Sequence, residues 1–387
     1  MARRTSFVAY SPRTVLNKAR RADHWFWTRY SAYPYIGCQH GCAFCYCRER
    51  KYSPYEDPED FAHVIKVKQN APELLRRALR RVPIDIVFTG DYQAAERKFE
   101  LSRRMLEVCR DLGFPVFVLE RSPLVLRDLD LLAEIDHQAP SVVAFSILTT
   151  PEAPSHAAVS LLERLTPAPE KRFAAMGQFA QAGILTGTCL MPILPGISDD
   201  DATLESVVRR TAGEGGRFVL AGSLTLSDQQ RHYFAQALRG PFAHLLETYR
   251  RLYPPGSYAP TGDYNRRLGL RVRELCQRFG IADRIPRPII PGDRREANKR
   301  LAEWLADRAY ALELEGAPSK QVWIYRKAAW ALEDLEQDVR RVRSELGLHG
   351  LESIPGVGAA LAVEVDRFLA SFAPSKDTQA SLPLSET

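Results

Sequence analysis

Four cysteines crowd into ten residues: Cys38, Cys42, Cys45 and Cys47. Three of them stand at the spacing C-x3-C-x2-C, in Gly37-Cys38-Gln39-His40-Gly41-Cys42-Ala43-Phe44-Cys45-Tyr46. Thiolates spaced in this way can wrap one face of an iron–sulfur cube and leave a fourth iron without a protein ligand. An open iron can bind the amino and carboxylate groups of S-adenosylmethionine (SAM). Electron transfer from a [4Fe–4S] cluster then cleaves the sulfonium and yields a 5′-deoxyadenosyl radical. A zinc site with His40 as fourth ligand would use the same residue types. Zinc sites usually pair two knuckles, however, and the sequence holds no second pair. Cys47 is expected to be a spectator, turned away from Cys45 if the chain is extended there.

The cysteine count is seven, an odd number, with Cys109, Cys189 and Cys276 far from the rest. That is not a disulfide framework, and it points to a reducing compartment. No apolar run is long enough to cross a bilayer. The basic stretch Met1–Tyr10 is not followed by a signal-peptide core. The expected location is cytoplasmic, with no membrane partner. The net charge of +6 is uneven: residues 297–370 carry −2, whereas residues 1–296 carry +9. A basic surface favours polyanions such as nucleic acid.

Beyond the cysteines, short β-branched runs alternate with helical periodicity. Strands are expected at Ile84–Thr89, Val116–Leu119, Val142–Leu148, Ile184–Leu190 and Phe218–Ala221. Helices are expected at Arg97–Asp111, Leu124–Ile135, Pro169–Ala182 with Gly183 as its cap, and Asp200–Thr211. This alternation implies an α/β fold with a parallel sheet or barrel. Five segments are expected: a basic arm (1–29), a core domain (30–253), a helical, proline-rich linker (254–296), an all-α helix-hairpin-helix domain (297–371) and a disordered tail (372–387).

The motif C-x3-C-x-aromatic-C, with Phe44 in the aromatic place, resembles the radical SAM superfamily signature. Thr14–Lys18, Tyr33–Cys38, Asn70–Leu75, Glu96–Lys98, Leu124–Asp130 and Met191–Gly196 resemble the spore photoproduct lyase-like branch, whose members are often labelled DNA repair photolyases. The resemblance covers about residues 10–250 and implies a partial TIM-type (β/α) barrel with cofactors at the strand C-terminal ends. It implies a [4Fe–4S] cluster on Cys38, Cys42 and Cys45, with SAM contacted by Phe44, Thr89, Gly90, Asp91, Arg121 and Ser146. Glu163 and Arg172 also match polar positions of the branch. It further implies an electron donor such as flavodoxin or ferredoxin. The hydrogen-donating cysteine of true spore photoproduct lyases falls at Phe88, a ring with no S–H to give. Cys189 is the other cysteine on a barrel strand, and a small buried hydrophobe is its commoner role.

Near the end of the chain, Ile354-Pro-Gly-Val-Gly358 is a Pro-Gly-x-Gly turn that opens a helix. Gly356 and Gly358 allow a tight turn, and the N–H groups of the following helix favour a phosphate. Residues 297–370 resemble the helical N-terminal domain of family X DNA polymerases, which grips DNA backbone. That family's lyase lysine falls at Glu364 and its hairpin lysine at Ala360, so no abasic-site lyase activity is expected. The charge of −2 predicts weak DNA binding. Three functional readings follow. The first is a radical SAM enzyme acting on nucleic acid, in DNA repair or base modification. The second is one acting on a protein or small molecule, with the hairpin used for docking. The third is a non-enzymatic Fe–S nucleic-acid-binding protein.

Overall fold

The computed structural model describes residues 3–371. It divides into two compact units, Met1–Pro288 and Ile289–Thr387. In the first unit the chain lays down ten strands. These are β1 (Ser6–Tyr10), β2 (Asn17–Lys18), β3 (Tyr30–Ser31), β4 (Tyr35–Ile36), β5 (Val64–Lys68), β6 (Val87–Thr89), β7 (Val116–Glu120), β8 (Ser141–Ser146), β9 (Leu185–Ile193) and β10 (Val219–Ser223).

Seven strands form an open sheet in the order β10-β9-β8-β7-β6-β3-β2, parallel from β10 to β3. Helices join the consecutive parallel strands β6 to β10, the (β/α) pattern of a partial barrel. Alternation along each strand sorts the two faces. Val87, Val116, Val118, Val143 and Phe145 pack with Leu75, Met105 and Leu106 of the covering helices. Phe88 and Phe117 stand side by side in register on the other face, their rings 5.2 Å apart. A second sheet, β1-β5-β4, holds β4 beside β5 and starts the cysteine loop.

Local signals account for several boundaries. Gly183 adopts φ +80° and ends helix Pro169–Gln181. The Asp200 carboxylate accepts from the Thr203 N–H (2.9 Å) and starts helix Asp201–Gly213. The expected helix Arg97–Asp111 is split into Glu96–Phe99 and Leu101–Asp111. The buried Glu96 carboxylate accepts from the Ser102 N–H (3.0 Å), from Tyr35 and from Arg127, so a side chain caps the new first turn. The expected helix Leu124–Ile135 opens as a 3-10 turn, Pro123–Asp128, because the Asp128 carboxylate is drawn out to Tyr92 and Arg103.

Two segments differ from their expected roles. Within 1–29, Ser6–Tyr10 pairs with β5 and Trp27 is buried, its indole N–H donating to Ile285 O (2.8 Å). Within 254–296, helix Gly262–Arg278 puts Leu268, Val272, Leu275 and Cys276 into the same core as the barrel helices. Its apolar stripe at helical spacing lies among five arginines and other polar residues, which hid it behind the flanking prolines. The expected tail 372–387 lies outside the described residues.

The second unit has four helices among the described residues: Glu296–Leu314, Ser319–Asp334, Val339–Glu352 and Ala359–Ser371. Buried Asn298 ties the loop between the second and third, donating to Leu335 O and Gln337 O and accepting from the Val339 N–H. No helix among the described residues is long and apolar enough to cross a membrane.

Candidate functional site

The cysteine loop leaves β4 through Gly37 (φ +85°), where a Cβ would stand 2.8 Å from Val64 O, so only glycine fits. Two glutamines lace the loop to the turn after β6. Gln39 Oε1 accepts from the Ala95 N–H (2.6 Å). The Gln93 amide both donates to Gly37 O (3.1 Å) and accepts from the Gln39 N–H (3.0 Å). Arg48, buried beneath the loop, donates to Cys42 O (3.0 Å), Gly41 O (3.1 Å) and Pro58 O (2.8 Å). Its guanidinium also lies over the Phe61 and Tyr233 rings. None of these three residues stood out in the sequence, because a polar side chain that bonds backbone leaves no motif.

Cys38 and Cys45 are half-buried and Cys42 is buried. Burial pushes the Cys38 and Cys42 thiols up. Cys45 is instead lowered to about 7, chiefly by a hydrogen bond from the Cys47 thiol. Cys47 therefore does not turn away. Tyr46–Arg48 is a 3-10 turn rather than extended chain, and it folds Cys47 back onto Cys45. His40 Nδ1 lies 3.6 Å from Cys38 Sγ, and burial, then Arg121 and Arg172, lowers the His40 pKa to about 4. Among the described residues no three His, Cys, Asp or Glu side chains converge on one ion. A cube does not need that convergence, since each thiolate takes its own iron.

The strand ends bring the other expected residues to this edge. Thr89 ends β6, buried, with its Oγ1 unpartnered. Gly90 (φ +125°) has no room for a side chain, since a Cβ would stand 2.8 Å from Glu120 Oε1. That oxygen accepts from the Asp91 N–H (2.6 Å) and the Tyr92 N–H (3.2 Å), holding the turn. Asp91 itself takes φ +103°. Burial, then the Glu120 charge, pushes the Asp91 carboxyl well above its ordinary range, and burial raises Glu120 to about 7.

Arg121 follows β7. It pairs with Glu163, donates to Met191 O (3.4 Å) and lies 5.2 Å above the Phe44 ring. Phe44 is buried, its carbonyl bonded by Gln230. Arg172 grips the other Glu163 oxygen (2.7 Å) and donates to Ser146 O (2.8 Å), while the Ser146 hydroxyl donates to Met191 O (2.9 Å). Burial alone would raise Glu163, but the two guanidiniums hold it below its usual range. Glu163 and Arg172 thus belong to one buried network with Arg121 and Ser146. Phe88 sits among Phe26, Tyr33 and Phe117, with centroids 5.2–5.8 Å apart. Cys189 is fully buried on β9 opposite Ser146, and burial raises its thiol pKa far out of reach of neutral pH.

In the second unit, Gly356 (φ +83°) makes the hairpin turn, and Ile354 and Val357 are buried beneath it. A Cβ on Gly358 would meet nothing within 4 Å, so that side of the turn is open. Glu364 is engaged by the Tyr325 hydroxyl (3.0 Å).

A family model for the radical SAM superfamily matches residues 33–207, and one for a helix-hairpin-helix domain matches residues 296–372. Uncharacterized proteins of Mycobacterium tuberculosis and Mycobacterium bovis are each 31% identical over 269 residues, which covers 67% of this chain and 77% of theirs. An uncharacterized protein of Methanocaldococcus jannaschii is 28% identical over 176 residues, covering 44% of this chain and 62% of its own. Among solved structures, a spore photoproduct lyase mutant matches with TM-score 0.54 at 17% identity, over 71% of this chain and 81% of that one. A second mutant, with bound AdoMet and dinucleoside spore photoproduct, matches with TM-score 0.54 at 15% identity over the same shares. At these identities the likeness is one of fold.

Proposed function

Because the chain belongs to the radical SAM superfamily, and so is an enzyme that uses a [4Fe–4S] cluster and SAM, we propose that Cys38, Cys42 and Cys45 hold the cluster and that the substrate is nucleic acid. The first half of this reading is carried by one observation: the cysteine loop, the Thr89–Asp91 turn, Arg121 and Ser146 meet at the C-terminal edge of one parallel sheet. The donor set fits the cofactors. Three thiols on one loop suit three corners of a cube, and the unpartnered Thr89 Oγ1 faces a polar ligand's needs.

A [4Fe–4S] cluster and SAM bound there would supply a 5′-deoxyadenosyl radical. The chain's residues bind and orient. Gly90 would let the turn approach SAM closely, and Asp91 would accept from its ammonium. Arg121, kept in place by Glu163, which Arg172 anchors in turn, would take the SAM carboxylate. Ser146 stands where the ribose is expected. Phe88 offers a flat apolar wall rather than a hydrogen atom, so a reaction that draws hydrogen from that position is not proposed. A flat base suits such a wall.

Nucleic acid as substrate is supported by the hairpin Ile354–Gly358, open beside Gly358, and by the +9 charge of residues 1–296. The second reading, docking on protein, is favoured by the −2 charge of residues 297–370 and by Ile324, which is over 40% exposed beside the hairpin. The proposed location is cytoplasmic, where thiols stay reduced. The test is anaerobic release of 5′-deoxyadenosine by reconstituted protein, with and without single-stranded and ultraviolet-damaged DNA. Stimulation by DNA supports the reading. Turnover that DNA leaves unchanged, with a protein extract stimulating instead, favours the second.

A further inference from the structure

An electron must reach the proposed cluster from outside the molecule, and one wall of the cysteine loop carries exposed apolar side chains. Helix His156–Leu162 and the turn after it expose Leu161 (52%) and Leu165 (59%), with Arg164 between them in sequence. Directly beneath, Leu162 O accepts from the Ala43 N–H (3.0 Å). Thr166 Oγ1 lies 3.6 Å from Cys42 Sγ. A Leu165 methyl lies 3.7 Å from the point where a Cβ on Gly41 would stand. A partner resting on Leu161 and Leu165 is therefore one side-chain layer from the loop that carries Cys42.

The charge of this face also selects a partner. Arg164 is exposed and makes no ion pair among the described residues, and the exposed Glu170 and Lys171 open the next helix. Residues 1–296 as a whole carry +9. The other exposed apolar pair near the cysteines, Tyr46 and Tyr52, has the exposed Arg50 between them in sequence, while Lys51 over the Tyr52 ring is paired with Glu49 (3.0 Å), so that pair serves as the control face.

We infer that Leu161, Arg164 and Leu165 form the docking surface for an acidic one-electron carrier of the flavodoxin or ferredoxin class. The inference rests on the reading of Cys38, Cys42 and Cys45 as cluster ligands. In the step served, the reduced carrier loses one electron and the cluster gains it, with no bond made or broken. Apolar contact sets residence time, and the cations raise the encounter rate with an acidic partner.

The experiment uses full-length protein and a purified flavodoxin as probe. Binding of oxidised flavodoxin is measured by calorimetry, on protein with and without its cluster. Cluster reduction is followed by electron paramagnetic resonance, with flavodoxin and, separately, with dithionite as donor. Leu161→Asp/Leu165→Asp is expected to weaken flavodoxin binding by about tenfold or more, as loss of a central apolar contact does. Arg164→Glu should weaken it by about three- to tenfold, and more at low salt than at high salt. Iron content and dithionite reduction should match wild type in every variant, since a small donor needs no docking face. Unchanged flavodoxin affinity and reduction rate in these variants would overturn the inference. So would a loss confined to Tyr52→Ala. Failure of the cluster reading itself shows differently, as wild-type protein that takes up no iron.

Discussion

At the cysteine-bearing edge of the sheet, the proposed cofactor site is built from side chains: three thiols, the Asp91 and Glu120 carboxyls, and Arg121 and Arg172 around Glu163, all buried or half-buried. At the hairpin Ile354–Gly358, the proposed phosphate contact is built from backbone, since Ala360 and Glu364 supply no cation and the turn offers N–H groups. The first kind of site depends on residue identity, because charge and metal affinity reside in particular atoms. The second depends on shape, because any residue has an N–H but few leave it accessible. The two regions should therefore break differently under substitution.

The largest effect is expected at the thiols. Cys38→Ala, Cys42→Ala or Cys45→Ala should each reduce iron from about four per chain to near none and abolish the reducible cluster signal after anaerobic reconstitution. Stoichiometric zinc without iron in protein purified without air would sink the assignment. Next in size are the proposed SAM contacts. Asp91→Asn and Arg121→Gln should keep the cluster while weakening SAM binding by about 10–150-fold, the equivalent of about 1.5–3 kcal/mol for a lost charge-assisted contact. Equal affinity in both variants, by calorimetry, would show the SAM site to be elsewhere.

A third variant separates fold from ligand on the same edge. Glu120 has an ordinary value of 4.5, raised by burial to about 7 in the folded chain. Its protonated form favours the folded state, so its contribution is complete below pH 4.5 and is lost as pH rises through about 7. Glu120→Gln keeps an oxygen for the Asp91 and Tyr92 N–H groups and removes the titration. The stability of wild type relative to this variant should fall by about 1–3 kcal/mol from pH 4.5 to 7.5 in anaerobic denaturant titrations of the cluster-free protein. A difference that is flat with pH would mean that Glu120 titrates normally.

The smallest effects are expected at the hairpin, and there the two glycines part company. Gly356→Val forces a branched residue into φ +83° and should cost about 1–3 kcal/mol of stability in the second unit. Gly358→Val enters open space, so it should leave stability unchanged and reduce DNA affinity severalfold by keeping phosphate away from the turn. Binding should also fall steeply with salt. Equal DNA affinity of Gly358→Val and wild type, in anisotropy titrations, would favour protein docking instead. No abasic-site lyase activity is expected, since Glu364 forms no Schiff base.

By itself the sequence determined the cysteine spacing, the alternation that makes a parallel sheet, the glycine and aspartate helix boundaries at Gly183 and Asp200, and the hairpin turn. Each is a local rule of spacing, propensity or capping, complete within a few residues. The resemblance to the spore photoproduct lyase-like branch implied Asp91, Arg121 and Ser146, which lie at or within two residues of the ends of β6, β7 and β8. Only the tertiary structure decided what surrounds them. The helix Gly262–Arg278 gained its place by burying an apolar stripe against distant strands. Cys47 turned toward Cys45 because a 3-10 turn replaced extended chain. Arg48, Gln39, Gln93 and Glu120 became the supports of the site through hydrogen bonds, several to backbone atoms tens of residues away. A backbone acceptor carries no residue identity, so its partner cannot be read from spacing and appears only once the chain has closed on itself.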